Sequence, residues 1–170
     1  NMKKFGGYLS TKTNADGSES PYEINITWFD ALKGTQKGED NWQTERFLCS
    51  QIIMMSLKGI PGFYIHSLTA TENDHEKVKK TGKYRNINRK CWDYNQLTNQ
   101  LSDPYQPAHK IFTEIKRLIR IRSNQPAFHP DAGQEILNLG RALFVVKRHH
   151  GPTETVWSLS NITDRKQMVD

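Results

Sequence analysis

The chain is 170 residues long, with 35% hydrophobic residues, 10% aromatic residues and a formal charge of +6. That length suffices for one ordinary domain or two small pieces, and the aromatic content argues against a chain disordered throughout. Its Lys and Arg residues are interleaved with acids rather than gathered in a block, which argues against nucleic-acid binding, because contact with a phosphate backbone needs a concentrated basic face.

Residues 1–20 are polar, with Gly6, Gly7 and Gly17 among Ser and Thr, and read as a loop. Residues 22–32 begin with an alternation suited to a short strand or extended segment. A further loop runs from Gly34 to Gly38. The clearest helix is predicted over 41–58, where Phe47, Leu48, Ile52 and Met55 make one apolar stripe. Glu39, Asp40 and Glu45 sit at its start, where negative charge suits the helix dipole, and Gly59 and Pro61 end it. The apolar run 62–68 then reads as a buried parallel strand, so that helix, short loop and strand form the αβ step of a βα fold.

The polar stretch 69–92 is too long for an ordinary connection and is expected to carry function. Asp93 can cap a short helix bearing Leu97 and Leu101. Asp103 and Pro104 are expected to open a second long helix with Ile111, Ile115, Leu118 and Ile119 on one face. Its other face, with Lys116, Arg117, Arg120 and Arg122, is expected in solvent. After Pro126 the short segments 135–139, 142–148 and 153–159 read as an antiparallel appendage, with a boundary near 127–133.

Two cysteines, Cys49 and Cys91, make neither a disulfide framework nor a zinc site. Cys49 falls in the apolar helix and reads as a reduced, buried thiol. No apolar stretch approaches the ~20 residues that span a bilayer, and the first residues lack a signal-peptide core. A cytoplasmic protein without membrane or nucleic-acid partners is expected, and the polar ends suggest an excerpt from a longer protein.

Several residues could carry chemistry. If 62–68 is a barrel strand, His66 and the loop after it face a substrate. That loop ends in Lys83, Tyr84, Arg85, Asn86, Ile87, Asn88 and Arg89, rich in donors for sugar hydroxyls or phosphate oxygens. The same residues would also make a plain solvated basic loop. Tyr22, Glu23 and Asn25 could stack on and hydrogen-bond a sugar, or form a polar strand edge. Glu72, Asp74, His75 and Glu76 lack the spacing of a known metal loop, so no metal is expected, and nothing calls for a cofactor. No pair of carboxylates has the setting glycoside chemistry requires, so no catalytic residue is assigned.

Four phrases carry a resemblance: PYEINITWFDAL at 21–32, RFLCSQIIMMSLKGIPGFYIHSL at 46–68, TGKYRNINR at 81–89 and NQPAFH at 124–129. Together they resemble the sucrose phosphorylase subfamily of the α-amylase-type enzymes. Glu23 stands where sucrose phosphorylases usually have Gln, and the YEIN, HSL and NQPAFH forms look more like glucosylglycerate and glucosylglycerol phosphorylases. The resemblance implies an α/β fold: residues 1–128 as the C-terminal part of a (β/α)8 barrel, and 129–170 as the start of a small antiparallel β domain.

The implied activity is retaining transfer of a glucosyl group between a small polyol or acid and inorganic phosphate, through a covalent glucosyl-enzyme. Tyr22 and Glu23 match a mobile loop at the acceptor and phosphate subsite, Arg85 matches an arginine that binds the donor glucose, and Asn25 follows the same loop motif. The family's aspartate nucleophile, glutamate acid/base and third aspartate are expected upstream, which implies that this stretch alone is inactive and prone to self-association. A hydrolase or transglucosylase of the same superfamily, or a non-catalytic carbohydrate-binding or regulatory module, are the alternatives. The site expectation is that Glu23 and Arg85 line one pocket beyond the carboxyl end of the 62–68 strand.

Overall fold

The computed structural model describes residues 2–169. Its packing divides the chain into two units interleaved in sequence: Asn1–Thr44 with Tyr64–Phe112, and Glu45–Phe63 with Thr113–Asp170.

The first unit opens with an antiparallel hairpin, β1 (Tyr8–Thr13) and β2 (Glu19–Asn25), where the sequence suggested a loop followed by one strand. Its residues are polar, and cross-strand side-chain bonds replace apolar alternation: Thr13 donates to Glu19 at 2.5 Å and Asn25 to Ser10 at 2.9 Å. Gly17 closes the turn at φ +79, a conformation that a Cβ disfavours. The ladder is irregular at one point. Ser10 faces Glu23 and Thr11 faces Pro21, so Tyr22 is left over as a bulge. Pro21, lacking an N–H, suits that break in the ladder.

After β2 come the single turn α1 (Trp28–Ala31) and a two-residue pair, β3 (Gly34–Thr35) with β4 (Gly38–Glu39). Thr27 caps α1 by accepting from the Asp30 amide at 3.2 Å. Asn73 ties these pieces together. Its amide nitrogen donates to the Phe5 carbonyl at 3.1 Å, its side-chain oxygen accepts from Thr27 at 2.9 Å, and its backbone N–H donates to buried Asp30 at 2.7 Å.

The predicted long helix is α2 (Gln43–Ser56). The expected strand at 62–68 is absent. Residues 62–64 join no ladder, with Tyr64 extended, and α3 (Ile65–Leu68) is one helical turn. Every strand pair among the described residues is antiparallel. A short apolar run has no intrinsic strand signal once no neighbour is there to accept its backbone bonds. Here those bonds close locally instead: Thr71 N–H reaches the His66 carbonyl at 2.9 Å and Ala70 N–H the Ser67 carbonyl at 3.4 Å. This is the Schellman ending of a helix, with Ala70 at φ +47 in the position usually held by Gly.

The 69–92 stretch is ordered rather than loose. It holds α4 (His75–Thr81), capped by Asp74, and a 3-10 turn, Tyr84–Asn88, anchored by fully buried Ile87. Asp93 caps α5 (Tyr94–Ser102), as its sequence suggests, accepting from Gln96 at 3.0 Å. The next helix, α6 (Pro107–Ser123), starts at Pro107 rather than Pro104, because Asp103 makes a turn with Tyr105 and Gln106 first.

The second unit contains the expected antiparallel sheet, β5 (Gly133–Leu137), β6 (Leu143–His150) and β7 (Glu154–Asn161), in that order. Central β6 buries Val145, Val146 and Arg148 completely. Gly133 faces His149, whose ring would lie 2.1 Å from any added Cβ. Arg122 departs from the solvated basic face expected for α6, and Arg148 of β6 is used in the same way. Arg122 donates to the carbonyls of Met55 and Gly59, and Arg148 to those of Gly133, Ser56 and His129 at 3.1, 3.3 and 3.0 Å. Met55 and Ser56 are the last residues of α2, so both guanidiniums cap its C-terminus, where cations are favoured. Cys49 is half-buried and reduced, 3.8 Å from the Asn161 carbonyl.

Candidate functional site

The sequence-derived site residues all lie in the first unit. Glu23 and Arg85, 62 positions apart, form an ion pair: Arg85 Nε donates to Oε1 at 3.1 Å and to Oε2 at 3.0 Å. Side-chain exposure is 55% for Arg85 and 32% for Glu23, so the pair is open to solvent on one side. The hydrogen bond from Arg85 holds the Glu23 carboxyl below its ordinary value, against a smaller opposing effect of burial, with Asn25 and Arg89 adding minor pulls. Among the described residues no hydrogen bond uses the terminal nitrogens of Arg85. They retain the forked donor geometry that suits phosphate, carboxylate or vicinal hydroxyls.

Local structure fixes this pair from both sides. Asn25 is 2% exposed, and its amide donates to Ser10 at 2.9 Å and to the Glu23 carbonyl at 3.4 Å. It therefore sits inside the hairpin, bracing Glu23, rather than on an open surface. Tyr22, in the bulge, is 63% exposed. It neighbours Glu23 in sequence but stands off the ladder, beside a face that shows Ile24 to solvent. On the opposite side the Arg85 turn is clamped. Asp74 N–H donates to the Ile87 carbonyl at 2.8 Å, and the Asn86 amide to Thr81 at 2.8 Å. Lys77 donates to the Arg89 carbonyl and approaches Cys91 Sγ at 3.2 Å. Tyr84 stacks on Tyr8 of β1, with ring centres 4.7 Å apart and planes 4° apart, which locks the turn to the hairpin.

His66 belongs to a separate cluster in the same unit. Its Nδ1 lies 3.0 Å from Thr71 Oγ1, which also meets Thr69 Oγ1 at 2.9 Å and Trp92 Nε1 at 3.0 Å. Tyr64 packs edge-on at 5.0 Å and reaches the Asn88 carbonyl at 3.0 Å. Burial holds the imidazole below the ordinary histidine value, and the charges of Lys77 and Lys90 push the same way. His66 makes no bond to Glu23 or Arg85. Of the expected site, Glu23, Arg85 and Asn25 thus come together, Tyr22 flanks them, and His66 has its own partners.

Sequence reasoning misses Thr71, Trp92, Tyr8 and Asn73. Trp92 next to Cys91 and Lys90 gives no spacing signal, and Tyr8 is hidden in a stretch too polar to read as a strand. The acidic group around residue 74 has ordinary employment: Asp74 caps α4, Glu76 pairs with Lys79 at 2.9 Å, and His75 contacts Tyr8 at 3.4 Å. Among the described residues no helix is long and apolar enough to cross a membrane.

No protein-family model matches the chain. Individual relatives do. The chain is 40% identical over 167 residues to a glucosylglycerate phosphorylase of Allomeiothermus silvanus, covering 98% of this chain and 30% of that protein. It is 32% identical over 169 residues to the glucosylglycerate phosphorylase of Escherichia coli, covering 99% of this chain and 30% of the relative. The crystal structure of sucrose 6F-phosphate phosphorylase from Thermoanaerobacter thermosaccharolyticum superposes with a TM-score of 0.74 at 23% identity, over 93% of this chain and 30% of that one, a likeness of fold. The chain spans about 30% of the length of the curated relatives it matches. On this match it belongs with the sucrose phosphorylase-like glycoside phosphorylases, as a stretch corresponding to roughly a third of such a protein.

Proposed function

We propose that the chain is part of a retaining glucoside phosphorylase that releases α-glucose 1-phosphate from a small α-glucoside such as glucosylglycerate, glucosylglycerol or sucrose. Residues 1–128 would be the late portion of a (β/α)8 barrel, and 129–170 would begin the C-terminal β domain of a cytoplasmic enzyme. Arg85 would hold the donor glucose, with Glu23 and Tyr22 at the acceptor and phosphate subsite and Asn25 positioning Glu23. The observation that carries this reading is the Glu23–Arg85 pair, exposed on one side and clamped on the other. A carboxylate that accepts and a guanidinium that donates are the two polarities that sugar hydroxyls require.

Such a pair binds and orients; it does not cleave. The glycosidic bond calls for a nucleophile and a positioned acid, so this stretch by itself is expected to be inactive. Exposed Tyr22, Ile24, Trp28, Tyr64 and Ile65 support the added expectation that it self-associates in isolation.

The test is an assay of the full-length protein with inorganic phosphate and a panel of glucosides. Phosphate-dependent release of α-glucose 1-phosphate is the expected result. Release of free glucose regardless of phosphate would identify a hydrolase instead, and phosphate-independent formation of a new glucoside a transglucosylase.

A further inference from the structure

The cluster around Thr71 determines which way its protons point. Thr69 Oγ1 lies 3.0 Å from the Ile65 carbonyl, which can only accept, so the one Thr69 hydroxyl proton goes there. The 2.9 Å contact between Thr69 and Thr71 then has Thr71 as its donor. Trp92 Nε1 is a donor only and points at Thr71 Oγ1. With its own proton committed, Thr71 accepts from His66 across the 3.0 Å contact. Each hydroxyl in the cluster thereby has a defined role, and Nδ1 carries the imidazole proton. In the neutral ring Nε2 is then bare, and among the described residues it makes no hydrogen bond.

Backbone strain accompanies this arrangement. Thr71 is brought beneath His66 by the Schellman ending, which forces Ala70 to φ +47 although it carries a Cβ. A non-Gly residue is held in that region only where surrounding contacts over-determine it.

We propose that His66 determines substrate specificity as an acceptor-only group: fixed as the Nδ1–H tautomer by Thr71, it offers Nε2 to a hydroxyl of a glucoside or polyol, and not to a phosphate or carboxylate oxygen. This rests on the phosphorylase reading above and sharpens it. Arg85 can only donate, and anions are suited to it. His66 can only accept, so it rewards a hydroxyl and disfavours an oxyanion. Thr71, Thr69 and Trp92 are positioning residues that act through the ring.

The experiment uses full-length protein labelled with 15N-histidine. Long-range 15N–1H spectra at pH 7.5 are expected to show His66 with a protonated Nδ1 and a bare Nε2. Thr71→Val is expected to abolish that pattern, raise KM for the glucoside by roughly tenfold, the worth of one hydrogen bond, and leave kcat nearly unchanged. Thr71→Ser is expected to restore both readouts. A protonated Nε2 in the wild type overturns the tautomer, and with it the proposal. The expected tautomer with an unmoved KM in Thr71→Val overturns the hydroxyl contact. A full-length protein with the expected tautomer but no phosphorolysis refutes the functional reading and the contact together, and leaves only the ring assignment.

Discussion

Arg85 and Arg148 show two uses of one side chain in one molecule. Arg148 is wholly buried, and each of its three guanidinium nitrogens donates to a backbone carbonyl. Arg85 is more than half exposed, and only its Nε is engaged, by Glu23. A buried guanidinium without acceptors would be very costly, so Arg148 ends up where α2 leaves carbonyls to cap. An exposed ion pair adds little stability, so a pair held as firmly as Glu23–Arg85 is better explained by what it presents. On the proposed reading, engagement of the terminal nitrogens is what separates a structural arginine from a ligand-facing one.

The largest expected effect that could break this contrast lies at Arg148. Arg148→Met in the full-length protein removes the guanidinium donors to the Gly133 and Ser56 carbonyls and leaves the His129 carbonyl with the Ala132 N–H alone, and should destabilise by about 3–5 kcal/mol in a denaturant titration. A change under about 1 kcal/mol would mean that those carbonyls find other partners. Arg122→Ala, which releases the Met55 and Gly59 carbonyls, should cost about 2 kcal/mol by the same measurement. Ala70→Gly should have the opposite sign and stabilise by about 1 kcal/mol, since Gly adopts the left-handed conformation freely.

Acid sharpens the contrast further. The folded state holds the His66 pKa below the ordinary 6.5, so between the two values the unfolded chain binds more protons. His66 therefore contributes stability above pH 6.5 that is lost as the pH falls towards its folded value. His66→Asn should flatten that part of the stability profile, and an unchanged slope would show that other groups set it.

Much of the scaffold is legible in the residues themselves. The stripe of Phe47, Ile52 and Met55 announces α2, Asp93 announces α5, and alternation with turn residues announces β5 to β7. The hairpin β1–β2 is not legible, because Ser10 and Thr13 tie it to its partner strand through hydroxyl and amide bonds rather than apolar alternation. Segment 62–68 misleads for the converse reason. Its apolar residues suit a buried strand, but from Tyr64 onward its backbone bonds close within one helical turn and the Ala70 ending. Glu23 and Arg85 could be named from their phrases, and their direct contact follows from a bulged hairpin meeting a clamped 3-10 turn. Thr71 and Trp92 leave no trace in sequence, since a hydroxyl becomes a relay only through the turn that delivers it.

The central claim, that Arg85 faces a ligand rather than the fold, is tested most directly by Arg85→Ala in the full-length protein, assayed for phosphorolysis and thermal unfolding together. The account predicts a fall in kcat/KM of about a hundredfold or more, as for loss of a charged hydrogen-bond partner, with the melting temperature unmoved. Wild-type kinetics, or a loss of activity matched by a comparable loss of stability, would contradict it.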